Sequence, residues 1–524
     1  LRLSQTSLMP VRAAVPLIKP VDREIELKFL VDEPVFKASQ QWPALGLSGR
    51  RPPARRLRTV YFDTVQGDLA RRRMVLRMRG ARRGYVMSLK WSGGFAGGLF
   101  ERGEIEVPSL GDAPDLALFG AEAASMIEGA IEGRTLAAVY ATDIKRMVHR
   151  VRSETSDIEV AFDSGVIVAG DVSEPVREIE LELKAGDVAD LYRLGMSLAE
   201  QFPVRLSSLA KSDRGAMLAA GEMPRAVRAA VALADGLNVD EAMGRAMNGC
   251  LAQFVANWPA FESGDAANAV HQMRVAMRRL RAMLGLFHRA FACPEFAILR
   301  EEAKHIAGLM GEARNLDVFI ATVRNGPQRA FANEPGFAAI LAESEERRAA
   351  AYAGIRDLLR AASTTKFVLG AQGFIARCGW RNALSAEALP QLVAPAQDFG
   401  AAHLDRLHKR ALKRGKHLLA MAPDERHGLR IELKKLRYAA DLFAPLFEGS
   451  GRIKEYLKAA AALQEQLGLF NDLAVAIEMV GQLEAGQTRA GGIILGWCAR
   501  GGVADDAALK ACWREFRKAK LFWQ

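Results

Sequence analysis

The periodicity of the chain changes once, and that change limits the fold more than any other feature. From about Glu24 to Lys184, short period-two runs are separated by Gly, Pro and Asp; Glu24–Phe29, Val75–Arg79, Glu104–Val107 and Glu178–Lys184 are examples. Such runs read as strands. From about Leu233 onward the apolar residues recur at helical spacing, in long segments rich in Ala, Leu and Arg. Strands in one half and helices in the other make this a multidomain α+β chain, with its linker at Gly221-Glu-Met-Pro224. At 524 residues it is also too long for one ordinary core. The expected organisation is a tail over 1–19, a β domain over 20–218, a linker over 219–232 and a helical domain over 233–524. The last divides near Pro390–Pro395, into halves of about 233–390 and 391–524.

In Glu24-Ile-Glu26-Leu-Lys28 the charges fall at every second residue. Alternate residues of a strand share a face, so the charges point one way and Ile25 and Leu27 the other. The pattern recurs in Arg77-Met-Arg79, in Arg102-x-Glu104-Ile-Glu106 and in Glu178-Ile-Glu180-Leu-Glu182-Leu-Lys184. For one strand, a sheet with a solvated face explains it. Across four strands the repeated carboxylate pairs repel for no gain on an open surface, whereas a closed barrel with a charged lumen gives each a purpose. Paired carboxylates are hard oxygen ligands suited to Mg²⁺ or Mn²⁺, and converging Arg and Lys neutralise phosphate oxygens. Together they describe a metal–triphosphate site.

The net charge of +11 and a pI near 9.5 favour a polyanionic partner. The five cysteines are odd in number and form no C-x-x-C pair, which excludes a disulfide framework or a cysteine zinc site and suits a reducing cytoplasm. No apolar run reaches the roughly 18 residues that span a bilayer, and Pro10, Arg12 and Pro16 make the opening stretch a poor secretory signal. The expectation is a cytoplasmic protein with no membrane partner.

The helical region repeats itself. His271-Gln-Met-Arg274-x-x-x-Arg278-Arg279-Leu280-Arg281 is matched by His427-Gly-Leu-Arg430-x-x-x-Lys434-Lys435-Leu436-Arg437. Downstream come Gly311…Asn315-Leu-Asp317-Val318 and Gly468…Asn471-Asp472…Val475, in the same order and nearly the same spacing. At roughly 100° per residue, His271, Arg274, Arg278 and Arg281 fall within about 80° of one helix face, opposite Met273, Ala276, Leu280 and Leu284. His427, Arg430, Lys434 and Arg437 repeat the stripe, and Arg406, Arg410, Lys413 and His417 give a third basic face. A charged face is ordinarily just solvated, but these carry almost no compensating acid one turn away and so repel themselves. The paired histidines, each one turn before an arginine, extend the anion-contact surface. The stripes lack interleaved aromatics for base stacking, which ranks nucleic acid low as a partner.

Glu24-x-Glu26-x-Lys28 at the start of the β region resembles the signature of the CYTH, or triphosphate tunnel metalloenzyme, superfamily. Further positions follow in family order over about residues 20–218: Tyr61-Phe-Asp63-Thr64, Arg77-x-Arg79, Ser88-Leu-Lys90, Glu104-x-Glu106, Arg146, Ala161-Phe-Asp163-Ser-Gly165, Glu178–Lys184 and Lys211-Ser-Asp-Arg214-Gly215. The resemblance implies an eight-stranded antiparallel β tunnel with flanking helices that binds a triphosphate end-on and hydrolyses it with Mg²⁺ or Mn²⁺. It makes Glu24, Glu26, Glu180 and Glu182 metal ligands, with Glu178 beside them. Lys28, Arg77, Arg79, Lys90, Arg146, Lys211 and Arg214 would grip phosphate. Glu104, Glu106 and Asp163 would position water or the ligand shell, completing with Glu24, Glu26 and Lys28 the catalytic set. Asp63 reads equally as a turn residue.

The helical half resembles the CHAD domain over about residues 233–524, on the paired basic helices, the Gly…Asn/Asp motifs and the aromatic, basic tail Trp513–Trp523. It departs from the pattern at Asn315, which stands where an acid usually follows Arg314. The resemblance implies two pseudo-symmetric four-helix bundles whose basic helices bind inorganic polyphosphate. With no nucleophile–base pair or metal-ligand cluster, this half reads as a binding module. The function expected of the whole is an inorganic triphosphatase acting on tripolyphosphate, joined to a polyphosphate-binding domain and associated with polyphosphate granules. The alternatives are a thiamine triphosphatase, a nucleoside triphosphate enzyme of the class IV adenylate cyclase kind, or a non-catalytic polyphosphate-binding protein.

Overall fold

The computed structural model describes residues 22–46, 52–96, 98–228, 233–503 and 506–524, without the side chains of 22, 92–96, 423, 469–472, 501–503 and 506. The tail over 1–19, part of the linker (229–232) and the side chains of Asn471 and Asp472 lie outside the described residues.

Nine strands form one sheet: β1 (Asp22–Leu30), β2 (Arg55–Asp63), β3 (Met74–Gly80), β4 (Tyr85–Ala96), β5 (Leu99–Ser109), β6 (Ala137–Arg152), β7 (Asp157–Ala169), β8 (Val172–Ala185) and the short β9 (Arg205–Leu206). Their order is β5-β4-β3-β2-β6-β7-β8-β1, and β1 pairs with β5 as well as β8, which closes an eight-stranded antiparallel barrel; β9 adds to β1. The barrel is inverted relative to an ordinary β core. Leu27, Phe29, Val160, Phe162, Ile179 and Leu181 are buried on its outside, while the charges between them turn inward. On the β3–β5 side, Leu76, Met78, Met87 and Leu89 are covered by α1 (Ala121–Ile131). Alternation therefore places charge in the lumen and apolar surface under helices, the reverse of a solvated sheet.

The other helices of ten residues or more are α2 (Val188–Gln201), α3 (Lys211–Ala220), α4 (Val239–Ala256), α5 (Ala266–Phe291), α6 (Pro294–Asn325), α7 (Gly336–Arg360), α8 (Ala362–Ala376), α9 (Ala396–Arg414), α10 (Pro423–Phe443), α11 (Ile453–Gln482), α12 (Arg489–Val503) and α13 (Asp506–Lys518). Everything from α4 onward is helical or irregular apart from one bridge between Asn238 and Pro395. That bridge, with Val239 N donating to Ala394 O (3.0 Å) and Ala396 N to Leu237 O (2.9 Å), ties the start of α4 to the start of α9. The sequence repeat appears as two hairpins, α5–α6 and α10–α11. In each, an arginine lies over a glycine of the facing helix: a Cβ on Gly311 would meet Arg274 Nη2 at 3.7 Å, and one on Gly468 would meet Arg430 Nη2 at 3.8 Å.

The two regions share a core. Helix α2 packs on α8, and Gly195, Gly370 and Gly373 let Leu369, Met196 and Tyr192 approach closely across the contact. Thr365 Oγ1 donates to Val204 O at 2.9 Å in the same interface. The described part of the linker is also held, with Ala226 N on Asp265 Oδ2 (2.8 Å) and Val227 N on Asn257 Oδ1 (2.9 Å).

Buried His403 on α9 gives the helical region an acid sensitivity. Burial, then the charges of Arg406 and Arg289, pushes its imidazole down to about 4. A base whose folded pKa is depressed stabilises the fold above its unfolded pKa, ordinarily near 6.5, and loses that contribution as pH falls toward 4. The two values differ by about 3 kcal/mol. Thermal melts between pH 7 and 4 should show the helical region weakening over this window, and His403→Gln should flatten the slope.

Candidate active site and anion groove

The strand register gathers four lumen carboxylates into one row, with Lys28 and Lys184 on the same strands, and sets three cations across from it. Glu26 on β1 lies opposite Glu182 on β8, which lies opposite Glu159 on β7, and Glu24 follows two residues along β1. This row of carboxylates occupies β7–β8–β1. In the closed order β4, β3 and β2 stand across the lumen, and they bring Lys90, Arg77 and Arg79. Arg146 enters from β6 and Lys211 from the first turn of α3. Between the row and the cations facing it is a cavity of about 210 Å³, lined by eight carboxylates and eight Lys or Arg side chains.

Most of these charges are paired. Glu24 is bidentate on Lys90 Nζ (2.6 Å to each oxygen), and Lys90 also reaches Glu104 at 3.2 Å. Arg77 Nη2 donates to Glu104 (3.1 Å), and Ser88 Oγ to Glu106 (2.9 Å). Lys28 bridges Glu26 (2.6 Å) and Glu180, and Glu180 also accepts from Lys211 (2.8 Å) and Arg146. Arg146 Nε donates to Asp163 at 2.7 Å, and Lys211 lies 2.9 Å from the same carboxylate, which is fully buried. Arg79 is the exception: among the described residues it has no carboxylate partner, and its Nε is buried without a hydrogen bond.

The electrostatics follow. Burial opposes the charge on Glu24, but Lys90 and Lys28 outweigh it and hold the carboxyl at about 2. For Glu26, burial and then the charge of Glu24 prevail, raising it to about 7. Glu182 is also raised by burial. Glu180 is held well below the usual range because Lys211, Lys28 and Arg146 overcome its burial. Repulsion from Arg77, then burial, lowers Arg79 to about 10.

The second site is a groove of about 1030 Å³ between the α5–α6 and α10–α11 hairpins. Ten Lys or Arg side chains and two histidines line it against two acids, Glu312 and Glu478. Burial, then Arg278, lowers Arg274 to about 10, and burial, then Arg314, lowers His271.

A family model for the CYTH domain matches residues 22–216, and one for the CHAD domain matches residues 245–481. The chain joins a CYTH domain to a CHAD domain. An inorganic triphosphatase of Haemophilus influenzae is 34% identical over 164 residues, 31% of this chain and 46% of that protein. An uncharacterized protein of Mycobacterium tuberculosis is 28% identical over 336 residues, 59% of this chain and 60% of its own length. The chain thus spans about half the length of the curated relatives it matches. A crystal structure of the CHAD domain from the plant Ricinus communis is 27% identical, covers 57% of this chain and 96% of its own, and has a TM-score of 0.45. Among the described residues no helix is long and apolar enough to cross a membrane, and all five cysteines are free.

The CYTH barrel brings Glu24, Glu26, Lys28, Arg77, Arg79, Lys90, Glu104, Glu106, Arg146, Asp163, Glu180, Glu182 and Lys211 to one cavity. Arg214 does not line it. One turn beyond Lys211, its guanidinium is held by Glu174 (2.8 Å), Glu178 (2.6 Å) and Pro175 O (2.7 Å). Glu178 is likewise a buried anchor, held between Arg214 and Lys211 (2.6 Å). Asp63 is a turn residue: its carboxylate accepts from the backbone N–H groups of Thr64, Leu69 and Ala70 at 2.7–3.0 Å. Lining residues without a role in the sequence reading are Glu159, Lys184, Arg102 and Tyr61.

In the CHAD groove His271, Arg274, Arg278, Arg281, His427, Arg430 and Lys434 converge, joined by Arg300, Lys304, Arg314, Arg347 and Lys435. Arg437 does not line the groove; its Nε lies 4.0 Å from Asp441, one turn on. Arg406, Arg410 and Lys413 are exposed on α9 away from the cavity, and His417 is not on that helix at all. The helix stops at Arg414, and His417 has φ −116° and ψ 36° inside a following 3₁₀ segment. Asn315 lines the groove, while Asp317 turns away to Arg348 (2.7 Å) and Tyr352 (2.9 Å).

Among the described residues no three His, Cys, Asp or Glu side chains converge to enclose a metal ion, because the carboxylates are turned onto cations of the chain. The donor chemistry nevertheless fits a hard divalent ion. Glu26 and Glu182, neighbours in the carboxylate row, are both raised by burial and by like charge from Glu24, a repulsion that a bound cation relieves.

Helix α3 holds Lys211 in the lumen by lying directly on Tyr140, whose hydroxyl donates to Ser212 O at 2.9 Å. Gly215 permits this contact, since a Cβ there would overlap the Tyr140 ring. Gly215→Leu should lift α3 and withdraw Lys211. The expected result is a barrel that still melts cooperatively but binds triphosphate at least about tenfold more weakly, given roughly 1.5–3 kcal/mol for a charge-assisted contact; calorimetry checks both.

Proposed function

We propose that the CYTH barrel is a divalent-metal-dependent inorganic triphosphatase that hydrolyses tripolyphosphate to pyrophosphate and phosphate, and that the CHAD region binds inorganic polyphosphate. The observation that carries this reading is the small cavity between a carboxylate row and the cations facing it. At about 210 Å³ it is below the roughly 300–1,000 Å³ of sites that bury organic ligands. That favours a bare phosphate chain over a nucleotide or thiamine ester. It also suits the relative in Haemophilus influenzae, an inorganic triphosphatase.

The charge balance argues for a metal. The lumen's own side chains carry equal numbers of opposite charges, so a triphosphate brings in negative charge with nothing to offset it. It would take Lys28, Lys90, Arg146 and Lys211 from the carboxylates they hold, while Arg77 and Arg79 meet its oxygens from the opposite wall. Glu24, Glu26, Glu180 and Glu182, with Glu159 next in the row, would then be free to hold Mg²⁺ or Mn²⁺. Such an ion, when bound, supplies charge neutralisation at the phosphates and a more acidic water. Glu104, Glu106 and Asp163 keep Arg77, Lys90, Arg146 and Lys211 oriented for the next substrate.

The groove has the opposite character. Its excess of cations calls for an anion without a metal, as in a phosphate chain. In this reading α4–α7 and α9–α12 are two pseudo-symmetric four-helix bundles within the helical domain of 233–524, which follows a barrel domain of 20–218. The protein would act in the cytoplasm, at polyphosphate granules. Phosphate release from tripolyphosphate, ATP, thiamine triphosphate and long-chain polyphosphate, with Mg²⁺ or Mn²⁺, tests the proposal. Metal-dependent release from tripolyphosphate ahead of the others supports it. No release from any of them, with polyphosphate still bound, leaves a polyphosphate-binding protein.

A further inference from the structure

The two halves of the CHAD groove are not equivalent at their ends. One turn after the last arginine of the stripe, the first repeat has Gly285 and the second has Asp441. Asp441 draws Arg437 away and also lies 3.8 Å from Arg279. At Gly285 the opposite happens. Its missing side chain leaves room for two more guanidiniums, and a Cβ there would stand 3.6 Å from Arg300 Nε and 3.8 Å from Arg289 Nη1. Arg300 lines the groove, so net positive charge extends out of this end, with Glu301 the acid beside it.

The charge continues to α9. Arg289 is lowered by burial and then by repulsion from Arg410, Arg300 and Arg406. Arg406 Nη2 lies 3.5 Å from His403 Nδ1. Glu432 links cluster to groove, reaching Arg410 at 3.2 Å on one side and the groove's Lys435 at 2.8 Å on the other, and Glu301 lies at the same end on the groove's Lys304 at 2.7 Å. Four arginines against two carboxylates, Glu432 and Glu301, repel one another and have no role in packing: Arg406 and Arg410 are exposed.

We infer that Arg289, Arg300, Arg406 and Arg410 form an outer anion station that continues the groove past Gly285, so that this end engages the same polyphosphate chain and favours long chains over short ones. The inference rests on the proposed polyphosphate binding and adds to it a direction of exit and a dependence on length. Two stations on one chain bind by avidity, since the second contact is made at high local concentration. A short chain fills the groove alone.

The test is binding by the full-length protein, with chelator present to stop hydrolysis, of a chain of about ten phosphates and one of about a hundred; the ratio of affinities is read per phosphate, so that extra registers on the longer chain cancel. The wild type should favour the long chain by about tenfold, and Arg289→Gln/Arg406→Gln/Arg410→Gln should bring that ratio near one while short-chain binding and the melting temperature hold. An unchanged ratio in the variant overturns the outer station but leaves the groove reading intact. Failure of the wild type to bind either chain overturns the groove reading itself. Single-stranded DNA of equal charge, bound as tightly and lost equally in the variant, would reassign the station to nucleic acid. Lysine at the three positions should restore most of the preference, which a merely structural role would not predict.

Discussion

Glu24→Gln/Glu26→Gln should abolish metal-dependent phosphate release from tripolyphosphate, lowering kcat/KM by about a thousandfold or more, while polyphosphate binding by the helical region is unchanged. The size follows from what the pair does. A divalent ion at a transferring phosphoryl group is worth several kcal/mol, and each 1.36 kcal/mol is a factor of ten in rate. Glutamine keeps the shape and one acceptor oxygen but removes the charge that the ion needs. It also leaves Lys90 without its nearest carboxylate and Lys28 with Glu180 but not Glu26, so these cations should bind triphosphate in the absence of metal no worse than before. That split separates the proposal from simple unfolding: weaker Mn²⁺ binding by calorimetry, retained triphosphate binding and lost turnover. Loss of triphosphate binding together with turnover would mean the substitutions collapsed the lumen, and Glu24→Gln alone would then be the cleaner variant. Full turnover in the double variant would remove these carboxylates from the chemistry.

The barrel was legible because its lumen is charged. Alternation that normally shows an apolar face showed instead the Glu24, Arg77, Glu104 and Glu180 segments, and each lies in a strand with its charges inward. What the residues alone could not supply was register. Glu159 forms a period-two pair with Asp157, but nothing in that pair shows that it joins the carboxylate row, where the β7–β8 pairing sets it against Glu182. Arg214 shows the converse: its spacing from Lys211 suggests a shared face, but only the first turn of α3 reaches the cavity, and Arg214 one turn on is taken up by Glu174 and Glu178. In the helical region the repeat disclosed both stripes, yet identical stripes met different neighbours. Asp441 captures Arg437 where Gly285 leaves Arg281 in the groove. Arg300 and Lys304 escaped notice because Glu301 and Glu302 dilute them in sequence, although the fold turns only the cations to the cavity.

Arg274→Gln/Arg430→Gln should weaken binding of long-chain polyphosphate by about a hundredfold, on roughly 1.5–3 kcal/mol per charge-assisted contact. These arginines hold equivalent places in the two hairpins, each folded over a glycine of the facing helix, so one guanidinium from each half closes on the same groove. Counterion release predicts a second signature: the slope of log affinity against log salt should become shallower, because fewer cations meet the chain. Lysine at both positions should keep the salt slope and recover only part of the affinity, since a point charge replaces a planar fork. Stability should move the other way. Arg274 is already lowered to about 10 by burial and then by Arg278, and its Nε is buried without a hydrogen bond. Removing such a charge relieves repulsion, so the ligand-free melting temperature should not fall. A groove that is stabilised by its arginines would behave oppositely, losing stability and affinity together. Arginines held against their own repulsion are kept for what they bind, and ligand-free melting of the variant beside the wild type decides between the two.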